Sequence, residues 1–286
     1  MTLAPFELHR PRSVEEATAL LDEHGEAALL YCGGTELLLI AKMGFTSFEH
    51  LVDTKSIEEL AGIREDGDAL VVGATVTHRQ IERSPLVLER LPALAAMERQ
   101  VANVRVRTVG TLAGNLCFSD PHSDPATFLL ALDAEIESRR GDGSTRRRPL
   151  GDFLGGPYEP VLEHGELVLS IRVPVPAAGL AIVHRKLAFH ERPAATVTCA
   201  VRVVDGSIAD ARISVGSVGN VALRARDAEL LLVGAAADDE QAIDAACARA
   251  AALSEPVEDA NGSAEYKAHL VEVLTGRAFR EAMLAA

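Results

Sequence analysis

The stretch Ala27-Ala28-Leu29-Leu30-Tyr31-Cys32-Gly33-Gly34-Thr35-Glu36-Leu37-Leu38-Leu39-Ile40 reads as a short buried strand, a glycine turn and a helix. A second glycine-bearing segment, Thr111-Leu112-Ala113-Gly114-Asn115, leads into Asp120-Pro121-His122-Ser123-Asp124 and an apolar helix. Neither segment has the spacing of a P-loop or of the G-x-G-x-x-G dinucleotide fingerprint. Each can still present backbone N–H groups to a phosphate, because glycine lets the chain curve inward with no Cβ in the way. Two such turns suit a pyrophosphate better than one. The pair therefore points to a dinucleotide cofactor held between two segments.

Working outward, residues 3–53 alternate strand, helix, strand, helix, strand, which predicts a small α/β unit with a parallel core. Ser13-Val14-Glu15-Glu16 has the form of a capping box opening an amphipathic helix that stops near Gly25. From 54 to 176 the pattern is mixed. Asp66-Gly67-Asp68 turns a hairpin, 77–84 and 92–101 look helical, and 124–132 is a helix followed by a strand at 134–138. Residues 141–144 turn the chain into an arginine-rich segment, 167–173 is a further strand, and Pro174 with Pro176 mark a boundary. The last third shows strands at 196–204 and 207–215 and alanine-rich helices at 225–232, 239–253 and 263–284. The expected domains are 1–176, with subdomains of about 1–53 and 54–176, and 177–286.

The chain has 286 residues, 48% hydrophobic and 24% charged, the balance of an ordinary soluble protein. No apolar run reaches the roughly 20 residues that cross a bilayer. The first residues lack the charged and apolar regions of a secretory signal, so a cytoplasmic protein is expected. A net charge of −14 argues against nucleic acid or an anionic membrane as the main partner. The four cysteines, Cys32, Cys117, Cys199 and Cys247, form no C-x-x-C pair and no familiar zinc or iron–sulfur spacing. The histidines show no H-E-x-x-H and no i, i+4 pair on a convincing helix, so no metal is expected. Ser119, His122 and Asp124 are too crowded in sequence, and lack a nucleophile elbow, to be a hydrolase triad.

Cys32-Gly33-Gly34-Thr35-Glu36, followed by Lys42, resembles the first flavin-binding loop of the FAD subunits of the xanthine oxidase and aerobic carbon monoxide dehydrogenase family of molybdenum hydroxylases. Thr111-Leu112-Ala113-Gly114-Asn115, with Asp120-Pro121 and Asp124, is similar to their second loop, usually T-I-G-G-N. Residues 262–267 and the helix running to Arg277-Ala278 resemble the family's last helix. Ala113 departs from the usual first glycine, and Phe118 stands where some relatives carry threonine, with Ser119 as a substitute hydroxyl. The fold implied is α+β with a small N-terminal α/β unit. It comprises a two-part FAD-binding domain of the PCMH type and a C-terminal α+β domain of the CO dehydrogenase flavoprotein type.

The resemblance also implies roles. Gly33, Gly34 and Thr35 would meet phosphate with Cys32 beside them, and Glu36 would face a ribityl hydroxyl or a backbone amide. Thr111, Ala113, Gly114 and Asn115 would cradle the pyrophosphate, Asp124 would take the adenosine ribose, and Ser119 and Asp120 would add cofactor contacts, with a turn-opening Asp-Pro as the ordinary alternative at Asp120. Lys186 would lie near the flavin and raise its potential by Coulomb attraction. A plain strand-to-helix turn, an N-cap at Asp124 and a strand-end lysine are the ordinary alternatives. Tyr266 reads as core packing. The arginines of 139–148 read as a solvated hairpin, with docking to an acidic subunit as the sharper alternative. The implied protein is an electron-transfer subunit whose partners carry [2Fe–2S] clusters and molybdopterin, in a dimer of heterotrimers. A stand-alone flavin oxidase or dehydrogenase and a cofactor-free assembly module are the rival readings.

Overall fold

The computed structural model describes residues 3–189 and 192–286. The N-terminal unit runs β1 (Glu7–His9), α1 (Val14–His24), β2 (Ala28–Tyr31), α2 (Leu37–Lys42) and β3 (His50–Asp53). Its three strands pair in the order β1-β3-β2, all parallel, as the alternation predicts. Helix α1 buries Val14, Ala17 and Leu21, one stripe at helical spacing, against Ala28 and Val52. The Ser13 hydroxyl accepts the Glu16 N–H at 3.1 Å. The Glu16 carboxylate turns instead to the Arg12 N–H at 2.7 Å, so the expected capping box is only half formed.

The central unit contains β4 (Ile63–Asp66), β5 (Ala69–Gly73), α3 (His78–Arg83), α4 (Pro85–Arg90), α5 (Pro92–Glu98), α6 (Val104–Val109), α7 (Leu112–Phe118) and α8 (Asp124–Ala131). It continues through β6 (Glu135–Arg139), β7 (Thr145–Pro149), α9 (Leu150–Phe153), β8 (Leu154–Gly156), β9 (Glu159–Pro160) and β10 (Leu167–Pro174). Its main sheet is antiparallel, in the order β4-β5-β10-β6-β7. Leu167 and Leu169 of the middle strand β10 join the cluster of Val14, Ala17 and Val52, which fastens the two units together. Helices α6 and α7 are absent from the sequence reading. There Thr111–Asn115 is a turn, whereas the structure makes Thr111 the N-cap of α7 and the next residues its first turn.

The remainder comprises β11 (Ala181–Ala188), β12 (Pro193–Val204), β13 (Ser207–Gly216), β14 (Leu223–Arg224), α10 (Arg226–Glu229), α11 (Glu240–Leu253) and α12 (Ala264–Ala285). The strands form an antiparallel sheet in that order. The sequence reading misses β11, where charged and apolar residues mix. Helices α11 and α12 share an apolar cluster with β12 and β13. All eight residues of α8 are buried, which explains its apolar run. The helix is clasped on its C-terminal-domain side by Thr127 Oγ1 to Thr196 Oγ1 at 2.9 Å and by Ser214 donating to the Thr127 carbonyl.

One surface expectation changes. Tyr266 is 40% exposed rather than core, because it sits in the first turn of α12 on the solvent side. The arginine-rich hairpin is engaged within the chain. Arg139 pairs with Glu15 and Glu59, Arg140 and Arg146 with Glu163, and buried Arg148 with buried Glu166. Arg146 and Arg147 nevertheless stay exposed, so the hairpin is solvated with part of its charge met within the chain.

Candidate functional site

A cleft of about 460 Å³ opens between the N-terminal and central units. One wall is Tyr31 through Leu37, the β2–α2 connection, and the other is Thr111, Ala113, Gly114, Asn115, Cys117 and Phe118 of the α7 segment, with His78, Val106 and the segment Leu162–Val168 closing it. Nine of the residues singled out in the sequence line it: Cys32, Gly33, Gly34, Thr35, Glu36, Thr111, Ala113, Gly114 and Asn115.

The two glycine segments meet directly. A Cβ on Gly33 would stand 2.5 Å from the Val109 carbonyl oxygen and 2.7 Å from the Gly110 Cα. Only glycine lets the two backbones approach so closely. Gly34 has φ +67°, the left-handed region, and a Cβ there would run into the Tyr31 ring. His78 fixes the entry to the second segment. Its N–H donates to the Gly110 carbonyl at 3.0 Å, and its ring Nδ1 lies 2.7 Å from Glu98 Oε2 in a fully buried pair. Sequence reasoning passed over His78, Glu98 and Tyr31, because nothing in their local spacing distinguishes them from core residues.

Thr111 caps α7 by accepting the Gly114 N–H at 3.1 Å. Ala113 lies inside the helix, where a Cβ is tolerated, so its departure from glycine costs the loop nothing. Among the described residues, no intrachain acceptor receives the N–H groups of Gly33, Gly34 or Thr35. The N-terminal, positive end of α7 lies across the cleft from them. Such a wall fits a phosphate-bearing cofactor: two backbones brought together by glycine, and backbone donors that lack partners.

Four of the expected residues lie off the cleft lining. Ser119 is buried at the left-handed end of α7 and donates to the Gly156 carbonyl at 3.0 Å, so it does not stand in for a threonine at position 118. Phe118 itself packs edge-on against Tyr158. Asp120 accepts the His122 N–H at 3.0 Å and lies 3.0 Å from Arg192. Burial alone would raise its carboxyl, but the His122 hydrogen bonds and the Arg192 charge outweigh burial and hold it below the usual range. Arg192 also reaches Glu36, with a guanidinium nitrogen 3.6 Å from Glu36 Oε2.

Asp124 is not the N-cap of α8, a place taken by Ser123, whose hydroxyl accepts the Ala126 N–H. Ser123 also donates to Asn115 Oδ1, which ties the cleft wall to α8. The Asp124 carboxylate is buried, with Oδ2 2.7 Å from Lys186 Nζ and Oδ1 3.5 Å from His184 Nε2. Lys186 also donates to the Gln100 carbonyl at 2.6 Å. Its charge is thus met locally by Asp124, at the seam between the central unit and β11. No residue beyond 176 lines the cleft among the described residues, although Arg192 of the C-terminal domain reaches Glu36 at its edge.

A parallel N-terminal unit and a mixed central unit sharing a glycine-walled cleft, followed by a helix-backed antiparallel sheet, define a two-domain flavoprotein of the molybdenum hydroxylase type. Residues 4–176 match the FAD binding domain in molybdopterin dehydrogenase, and residues 185–282 match the CO dehydrogenase flavoprotein C-terminal domain. The chain belongs to this family of FAD-binding medium subunits, and is an oxidoreductase component. It is 37% identical over 279 residues to the carbon monoxide dehydrogenase medium chain of Hydrogenophaga pseudoflava, covering 97% of this chain and 96% of that one. The medium chain from Afipia carboxidovorans is 35% identical over the same shares of each chain. The solved carbon monoxide dehydrogenase from Hydrogenophaga pseudoflava superposes with a TM-score of 0.95 at 36% identity, covering 100% of this chain and 99% of that one.

Proposed function

We propose that residues 1–176 hold FAD across the cleft and that 177–286 form the domain that buttresses α8, in a subunit that relays electrons. When bound, FAD supplies the redox chemistry that links the [2Fe–2S] clusters of one partner subunit, and through them a molybdopterin subunit, to an acceptor. Gly33, Gly34 and Thr35 bind the pyrophosphate through their backbone N–H groups, and the first turn of α7 adds its positive end. Asn115, oriented by Ser123, offers a donor and an acceptor to the same cofactor. Gly33 acts by letting the two backbones close together, Gly34 by taking a left-handed φ, and Thr111 by holding the helix start in place. No side chain of this chain is required as a general acid or base. The natural assembly in this reading is a cytoplasmic dimer of heterotrimers.

The observation that carries the assignment is the closeness of Gly33 to Gly110, which makes one cradle out of two distant segments. Gly34 is a poor site for a charge test, because its positive φ and the Tyr31 ring would strain any replacement. Thr35 is half-buried in the cleft and free of that constraint. The purified chain is expected to show a flavin absorption band and to release FAD, identified by mass. Thr35→Asp, which sets a carboxylate among the phosphate donors, is expected to lower FAD affinity at least tenfold with an unchanged circular dichroism spectrum. Undiminished FAD affinity in that variant overturns the loop assignment, and a colourless chain that ignores added FAD overturns the reading as a whole.

A further inference from the structure

Away from the cleft, the N-terminal unit gathers three imidazoles. His9 is on β1, His24 in the last turn of α1 and His50 at the start of β3. His9 Nε2 lies 3.0 Å from His50 Nδ1, and the His24 and His50 rings stack with centroids 3.7 Å apart. One nitrogen from each of the three lies within 4.8 Å of the others, and Glu7 Oε2 is 3.8 Å from His50 Nδ1. The parallel register sets Glu7 opposite His50, with His9 two residues further along the same face. His50 and Val52 share that face, the one α1 covers, and so His24 closes over it.

We propose that His9, His24 and His50 form a binding site for a divalent transition cation of the zinc type, with the Glu7 carboxylate as its fourth ligand. Imidazole nitrogen suits zinc, nickel and copper, and a carboxylate oxygen completes a tetrahedral zinc set. Zinc–nitrogen bonds of about 2.0–2.1 Å place tetrahedral ligand atoms roughly 3.3 Å apart. The His9–His50 and Glu7–His50 spacings bracket that value, and coordination requires the stacked His24 and His50 rings to turn until their in-plane lone pairs meet. The His9–His50 hydrogen bond is exchanged for two metal bonds. The negative C-terminal end of α1 adds to the attraction for a cation. Sequence gave no warning, because each ligand comes from a different element and the usual short metal spacings are absent.

A cation here clamps β1, α1 and β3, the frame from which β2 launches the Gly33 segment. Binding that requires the folded unit adds to its stability. The site is independent of the cofactor reading, since none of the four residues lines the cleft.

The test uses the full chain without a histidine tag, stripped with a chelator and titrated with zinc chloride and, for its colour, cobalt chloride. One equivalent of Co²⁺ should bind and give the intense visible absorption of a tetrahedral site. Zn²⁺ should displace it and raise the unfolding temperature. Loss of an outer partner to a metal ligand already costs about 10–100-fold in affinity, so His24→Gln and His50→Gln should each weaken binding by at least about 100-fold, with FAD content unchanged. Zn²⁺ should also protect His9, His24 and His50 of the unmodified chain from diethyl pyrocarbonate, mapped by mass spectrometry. Absence of one-equivalent binding overturns the proposal, as do unchanged affinity in well-folded variants and protection confined to other histidines. The protection measurement keeps the proposal falsifiable even where a variant does not fold.

Discussion

The Cα of Gly110 lies where it would be 2.7 Å from a Cβ on Gly33, so two segments distant in sequence touch through bare backbone. The Val109 carbonyl oxygen is closer still to that position, at 2.5 Å. Backbone on both sides cannot swing aside as a flexible side chain could. The cleft therefore owes its shape to the missing methyl group.

Gly33→Ala follows directly. The added methyl forces the β2–α2 connection away from the α6–α7 junction, an overpacking cost of about 1–3 kcal/mol. FAD affinity is expected to fall at least tenfold, while far-ultraviolet circular dichroism stays near that of the parent. Equal FAD affinity in the two proteins, measured by fluorescence titration, would refute the contact.

Thr111→Val removes a buried cap with little change in volume. Loss of an N-cap hydroxyl costs about 1 kcal/mol, and the start of α7 loosens where the cofactor would bind. The expected result is a drop in unfolding temperature of about 2–4 °C for a chain of this size, with weaker FAD retention. An unshifted thermal transition would show that the hydroxyl does not support the helix.

The Asp124–Lys186 pair separates a structural lysine from one that tunes a flavin. Lys186→Met leaves a buried carboxylate without its cation, a change worth about 3–5 kcal/mol. The double change Asp124→Asn with Lys186→Met should recover most of that loss in urea unfolding. If Lys186→Met instead leaves stability unchanged and lowers the flavin potential, the lysine acts on the cofactor and the packing role fails.

Acid should unfold the chain partly through Glu166. Burial alone would raise its carboxyl, yet hydrogen bonds from Arg148 and Ser138 outweigh burial and bring it below the usual range. The folded state therefore binds the proton more weakly than the unfolded chain. The stabilisation is complete above the ordinary glutamate value of about 4.3, and fades as pH falls through the lower folded value. Asp120 follows the same sign, with Arg192 and His122 as its partners. Glu166→Gln should flatten the loss of stability below about pH 4 and lower stability at neutral pH. An acid transition identical in the variant and the parent would remove Glu166 from this role.

Some of this was legible from residue order. Strand–helix alternation over the first fifty-odd residues foretold a parallel sheet, because strands separated by helices connect as βαβ units. The Asp66-Gly67-Asp68 hairpin and the alanine-rich helices were equally plain, since turn chemistry and periodicity are local. The second glycine segment misled because Leu112, Ala113 and Gly114 carry no strong local signal. The helix there is set by the Thr111 cap and by packing of Leu112 and Leu116 into the central core.

By itself, the order of residues determined the identity of the two glycine segments, the order of most elements and the family. Those depend on interactions between near neighbours or on short recognisable runs. Tertiary structure alone decided that Gly33 abuts Gly110, that Asp124 is held by Lys186, that Arg192 spans Glu36 and Asp120, and that three scattered histidines converge. Each is a contact between residues far apart along the chain. Such contacts exist only once the sheets have paired and α8 has been buried, because it is the packed interior that fixes which backbones and charges must meet.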